Sequence, residues 1–163
     1  MKVKEIGHLA FTCKDLEESI RFYGEKLGFR NKFSIYYSDM LEHIRKNNPD
    51  AQGEFVEQLE KNRDKMWISY FDIGNGQFVE LFDAGAATVA CVPGREHLNY
   101  SHVALVVEDI HAAHAELMEK GIPVDTPPQL GLEGTWQMWS HDPDGNKIEF
   151  MQYTEKSWQL IGR

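Results

Sequence analysis

With 163 residues, 17 of them basic and 26 acidic, the chain carries a formal net charge of −9. That length can bury a core without staples, and the acidity argues against nucleic-acid or anionic-membrane partners, which recruit clustered lysine and arginine. No apolar run approaches the ~18 residues of a spanning helix, Met1 to Ile6 hold no signal-peptide core, and the only cysteines, Cys13 and Cys91, lack CxxC spacing; the expectation is a cytoplasmic protein without a disulfide framework.

The first strand-like run is Ile6-Gly-His-Leu-Ala-Phe-Thr-Cys13, where alternation puts Leu9 and Phe11 on one face and His8 on the other. Asp15 with Glu18 resembles a capping box, and Leu16, Ile20, Tyr23 and Leu27 follow at helical spacing until Gly28. Strands are expected at 31–37, 66–73 and 77–83. Between the first two, Tyr37 to Arg45 and Glu54 to Lys61 read as short amphipathic helices joined at Asn48-Pro-Asp50. Gly74-Asn-Gly76 reads as a hairpin turn, since no GxGxxG pattern surrounds it.

Near residue 100 the opening pattern returns. Tyr100-Ser-His-Val-Ala-Leu-Val-Val-Glu-Asp-Ile-His111 superposes on Ile6 to Glu17 at an offset of 94 (102 minus 8), which pairs His102 with His8, Ala104 with Ala10 and Asp109 with Asp15. Asp109 caps a second helix carrying Ile110, Ala113 and Leu117, which Gly121 and Pro123 stop. Strands are expected at 122–127, 134–140 and 146–153, the last two joined by the tight turn Pro143-Asp-Gly145. Gly76 to Phe82 matches Gly145 to Met151 at an offset of 69 (149 minus 80), which pairs Glu80 with Glu149. The difference, 94 minus 69, leaves a 25-residue insertion in the first half. The predicted architecture is therefore α+β: one domain over 1–163, made of two βαβββ modules at about 1–90, with a helical insertion at 38–65, and 98–155.

A carboxylate in the middle of a strand must be paired or coordinate a metal to offset its desolvation. Each module offers one such glutamate and one strand histidine, all four on the face opposite the helix-packing side. In a sheet curled over its own interior they can converge. His8, Glu80, His102 and Glu149 are thus candidate ligands for one divalent ion, and two imidazoles with two carboxylates suit Ni²⁺, Zn²⁺, Co²⁺, Fe²⁺ or Mn²⁺ without choosing among them. A single strand histidine is ordinarily structural; repetition at equivalent positions makes the metal reading stronger. His111 and His114 read as a solvated helix face, His141 as part of the turn, and His43 and His97 as residues of the insertion and a loop. Cys13 reads as packing, since no partnered base accompanies it. By parity the pocket is lined by Tyr100, Ala104, Ala10, Thr12, Phe78, Phe82, Met151 and Tyr153, with Trp67, Trp136 and Trp139 as further candidates.

The paired modules, the order His8, Glu80, His102, Glu149 and the closing segment Asp142-Pro-Asp-Gly-Asn-Lys-Ile-Glu149 resemble the vicinal oxygen chelate superfamily, and within it glyoxalase I, also called lactoylglutathione lyase. The resemblance implies a small-molecule substrate and proton transfer beside a carbonyl, through an enediolate whose charge a divalent ion stabilises. It also implies a catalytic base among the ligands, Glu149 first and Glu80 second, that takes the proton and returns it to the neighbouring carbon. Thr12 stands where glutathione-using members carry an arginine, so a non-glutathione hydroxycarbonyl compound such as a sugar is a rival substrate. Arg21, Arg30, Arg63 and Arg95 are the arginines weighed as substitutes. The same superfamily resemblance leaves open an extradiol-type dioxygenase and a non-catalytic small-molecule binding protein. Ligands drawn from one chain or from two exchanging modules both fit the pattern, and a homodimer is the expectation.

Overall fold

The computed structural model describes residues 6–85 and 101–162; Cys91, Arg95, His97 and Tyr100 lie outside them. The chain forms two compact units, Met1–Thr88 and Val89–Arg163. The first contains β1 (His8–Cys13), α1 (Leu16–Ile20), β2 (Arg30–Tyr36), α2 (Tyr37–Asn47), α3 (Glu54–Lys61), β3 (Met66–Gly74) and β4 (Gln77–Asp83). Its open sheet has the order β1-β4-β3-β2, with β1 parallel to β4 and the other pairs antiparallel. Asn75 and Gly76, both at positive φ, make the two-residue turn from β3 to β4, whose twist matches that of the strands it joins.

Asp15 starts α1 by accepting the Glu18 amide at 3.0 Å. The helix then widens into a π-helical segment, Arg21–Lys26, where the Leu27 amide donates to the Phe22 carbonyl five residues back. That change of pitch corrects the sequence reading of its apolar face. Leu16, Ser19, Phe22 and Tyr23 are buried, whereas Ile20 and Leu27 are only half-buried. Gly24 permits the close approach, because a Cβ there would sit 3.0 Å from the Phe71 ring.

The two insertion helices form as expected, the first starting at Tyr37 and running on to Asn47, the second at Glu54–Lys61. They bury Leu41 and Leu59 and are tied together by an ion pair between Arg45 and Glu60. The Tyr37 hydroxyl donates to Asp83 at 2.8 Å, and burial together with that carboxylate pushes the phenol up to about 12. This bond joins the start of α2 to the end of β4.

The second unit repeats the plan with β5 (Val103–Val106), α4 (Ile110–Glu119), β6 (Thr126–Leu130), β7 (Trp136–His141), β8 (Lys147–Gln152) and a final turn of helix, α5 (Trp158–Ile161). The order β5-β8-β7-β6 is that of the first sheet, with β5 parallel to β8. Asp142 builds the β7–β8 turn: it is buried and accepts from the amides of Asp144 and Asn146 and from the Asn146 side chain. Two expectations shift here. His102 lies just before β5 rather than within it, and the second strand of this unit falls at Thr126–Leu130 instead of 122–127. β6 carries Pro127 and Pro128 where its pairing with β7 skips from Thr126 to Gln129, so neither proline occupies a paired ladder position. Among the described residues no helix is long and apolar enough to cross a membrane.

Candidate functional site

In the first unit, β1 and β4 run side by side with His8 opposite Phe78, Ala10 opposite Glu80 and Thr12 opposite Phe82. Alternation therefore puts these six side chains on one face, while Phe11, Val79 and Leu81 go to the core. Glu80 is buried, at 8% side-chain exposure, and its Oε2 lies 3.3 Å from Nε2 of His8, which is half-exposed. On the other flank Tyr70 of β3 is in register with Glu80; burial, and after it the neighbouring Glu80 carboxylate, push the phenol up to about 12. The Tyr70 ring stacks on Phe33 with centroids 4.5 Å apart and meets the His8 ring edge-on at 5.9 Å.

The second unit holds the counterpart. Glu149 sits in β8 opposite Ala104, its side chain 9% exposed, with Oε2 3.2 Å from Nε2 of His102. The other ring nitrogen of His102, Nδ1, is 3.1 Å from the Ser101 hydroxyl, which fixes the ring's orientation. Trp139 of β7 is in register with Glu149 and meets the His102 ring edge-on at 4.8 Å. Burial pushes the Glu149 carboxyl above the ordinary carboxylate range; the adjacent His102 opposes the rise and the charge of Glu133 adds to it.

The structure thus brings His8 to Glu80 and His102 to Glu149, and among the described residues it gathers no group of three or more His, Cys, Asp or Glu able to hold a metal ion. Each pair on its own has the chemistry of half a metal site. Two N and O donors at ~2.0–2.2 Å from one ion, at tetrahedral or octahedral angles, lie about 2.8–3.6 Å apart, and the two observed separations, 3.3 and 3.2 Å, fall in that interval. The donor set fits a divalent ion.

Of the tryptophans considered as pocket wall, only Trp139 lies on the glutamate face. Trp67 packs against Tyr37, and Trp136 meets His111 on the helix-packing side, so His111 is in ring contact rather than simply solvated. His141 ends β7 and pairs with Asp125 at 2.9 Å. Tyr70 is the residue the sequence reading missed. Its signal was available, since the offset that pairs Glu80 with Glu149 also pairs Tyr70 with Trp139 (139 minus 70 is 69). Among the arginines weighed against Thr12, Arg30 is bound to Asp72 at 3.1 Å, Arg63 pairs with Glu60 and Asp64, and Arg21 is exposed at the start of the π-helical segment.

The glyoxalase/bleomycin resistance protein/dioxygenase superfamily model matches residues 5–150. YwkD, an uncharacterized protein of Bacillus subtilis (strain 168), is 29% identical over 160 residues, covering 93% of this chain and 99% of its own. A glyoxalase family protein from Enterococcus faecalis superposes with a TM-score of 0.65 at 26% identity, over 91% of this chain and 97% of that one. Lactoylglutathione lyase from Agrobacterium tumefaciens shares the fold, with a TM-score of 0.62 at 17% identity over 98% and 100% of the two chains. The repeat, the sheet order and these matches agree: this chain belongs to the glyoxalase/bleomycin resistance protein/dioxygenase superfamily.

Proposed function

We propose that the protein is a metal-dependent isomerase or lyase of the glyoxalase I type, acting on an α-hydroxycarbonyl compound, with His8, Glu80, His102 and Glu149 as the ligands of a divalent ion. The observation that carries this reading is the pair of repeat-related His–Glu contacts, 3.3 and 3.2 Å, each made by a buried carboxylate. The ion supplies charge stabilisation to the oxygens of the substrate. The protein's own contribution is the proton transfer. Glu149, whose carboxyl is raised toward neutrality by burial, is suited to take a proton from carbon and hand it back to the neighbouring carbon.

A substrate other than a glutathione adduct is favoured by a separate observation. Thr12 and its repeat-related counterpart Val106, both exposed beside the glutamate strands, carry no charge, and Arg30 and Arg63 are engaged with acidic partners elsewhere. Elemental analysis and turnover test both readings. About one ion per site, lost in His8→Ala and Glu149→Ala, with conversion of methylglyoxal plus glutathione, supports the glyoxalase I reaction itself. The same ion without that turnover, but with interconversion of sugars or hydroxyketo acids, supports the rival substrate. Oxygen consumption marks a dioxygenase, and a protein that holds no ion after incubation with Ni²⁺ or Zn²⁺ is a binding module.

A further inference from the structure

One titratable pair on the glutamate face of the second sheet stands apart from the four proposed ligands. His141, the last residue of β7, lies on the face that carries Trp139 and Glu149, because β7 and β8 pair without a register shift: Trp139 stands opposite Glu149 and His141 opposite Lys147. Its Nδ1 is 2.9 Å from Oδ1 and 3.0 Å from Oδ2 of Asp125, the residue before β6. The main chain fixes that partner, since the Asp125 amide donates to the Trp139 carbonyl at 2.8 Å. A carboxylate only accepts, so the neutral imidazole carries its proton on Nδ1 and presents the lone pair of Nε2. Both side chains are partly exposed, at 39% and 43%, so a small molecule can reach the ring.

Isomerisation of an α-hydroxycarbonyl compound moves two protons, one between carbons and one between oxygens, and Glu149 carries only the first. Residues diagonal to each other on adjacent antiparallel strands, as His141 and Glu149 are, are rooted about 7–8 Å apart. A two-carbon hydroxycarbonyl unit fits between them with each end inside the reach of proton transfer, about 3 Å. We infer that His141 is the catalytic residue for the oxygen proton and that Asp125 is its positioning residue. Glu149 takes the proton of the carbinol carbon; that C–H electron pair becomes the C=C bond of an enediolate, and the carbonyl π pair moves to its oxygen. Nε2 of His141 takes the hydroxyl proton and delivers it to the former carbonyl oxygen. The other oxygen then forms the new C=O, and the C=C pair takes back the proton from Glu149 at the neighbouring carbon. No electron or proton is gained or lost, so no co-reactant is needed. The inference rests on the isomerase reading under Proposed function and adds a second proton carrier to it.

The test incubates the protein with Ni²⁺ and dihydroxyacetone in D₂O, or with methylglyoxal plus glutathione where only that pair is turned over. Proton NMR reads two events: exchange of carbon-bound hydrogen for deuterium, and conversion to the isomer. His141→Asn is expected to lower conversion by about 100-fold or more while exchange falls by less than about ten-fold; Asp125→Asn acts in the same direction, more weakly. Two measurements on the metal-free protein accompany it. Nitrogen NMR of the histidine rings is expected to find the neutral His141 proton on Nδ1, and both variants are expected to keep the wild-type urea midpoint, since a partly exposed ion pair contributes little to stability. Unchanged conversion in His141→Asn overturns the inference, as does a neutral ring protonated on Nε2. An equal fall in conversion and exchange also overturns it, because the dyad then acts through the fold. A wild type that neither exchanges nor converts either probe overturns the isomerase reading instead, and the inference falls with it.

Discussion

Glu80 and Glu149 are carboxylates at buried strand positions, where apolar side chains are the rule, and each has a histidine ring nitrogen as its near neighbour. Both were legible in the sequence, because strand alternation leaves a mid-strand glutamate facing away from its apolar neighbours. Tyr70 was not picked out, since a tyrosine in a strand is ordinary and its importance depends on which side chain stands across the ladder. The state of Glu149 yields a prediction with a definite sign. Burial raises its folded pKa above the unfolded value, so the associated stability is fully present below the unfolded carboxyl range of ~4.3 and is lost as pH rises through the folded value. Metal-free Glu149→Gln should therefore melt at or above the wild type at pH 8, with the gap closing below about pH 4, while its turnover is abolished. A variant that melts well below the wild type at pH 8 would contradict the burial argument, and near-normal turnover would contradict the assignment of the base.

Among the elements, the helix starts were the most readable, because an N-cap is a local event: Asp15 and Asp109 each accept amides of the first turn, as their positions imply. Asp109 is held below the ordinary carboxyl range by the amides of Ala112 and His111. A depressed folded pKa means the cap contributes fully above the unfolded value of ~3.9 and is lost as pH falls through the lower, folded value. Asp109→Ala should lower the urea midpoint at pH 7, and the difference from wild type should shrink as the pH drops below about 4. Constancy of that difference down to pH 2 would show that the amide bonds do not set the cap's contribution. The elements misread were those whose form depends on a neighbour. The π-helical segment after α1 brings Gly24 close to the Phe71 ring of β3, and β6 accommodates Pro127 and Pro128 where its pairing with β7 skips from Thr126 to Gln129.

At the scale of the whole molecule, the two units share one strand order although the offset between them changes from 94 at the first strand to 69 at the last. The 25 extra residues become α2 and α3, a helical pair with its own buried contacts, so the insertion leaves the sheet intact. The proposed ligation of one ion by His8, Glu80, His102 and Glu149 predicts linked behaviour. An ion at ~100 times its dissociation constant stabilises the folded chain by about 2.7 kcal/mol, a rise of roughly 5–11 °C in Tm for a protein of this size. His8→Ala and His102→Ala, in different units, should each abolish most of that rise in calorimetry with Ni²⁺; loss in only one of them would mean that a single unit holds the ion. The sequence by itself determined the repeat, the fold class, the insertion and the four candidate ligands, because each is written in local periodicity and spacing. Only the tertiary structure decided which residues stand across the strands from the glutamates, where the helix changes pitch and which arginines are already engaged. Those depend on register and packing between segments distant in the chain, and no local pattern encodes them.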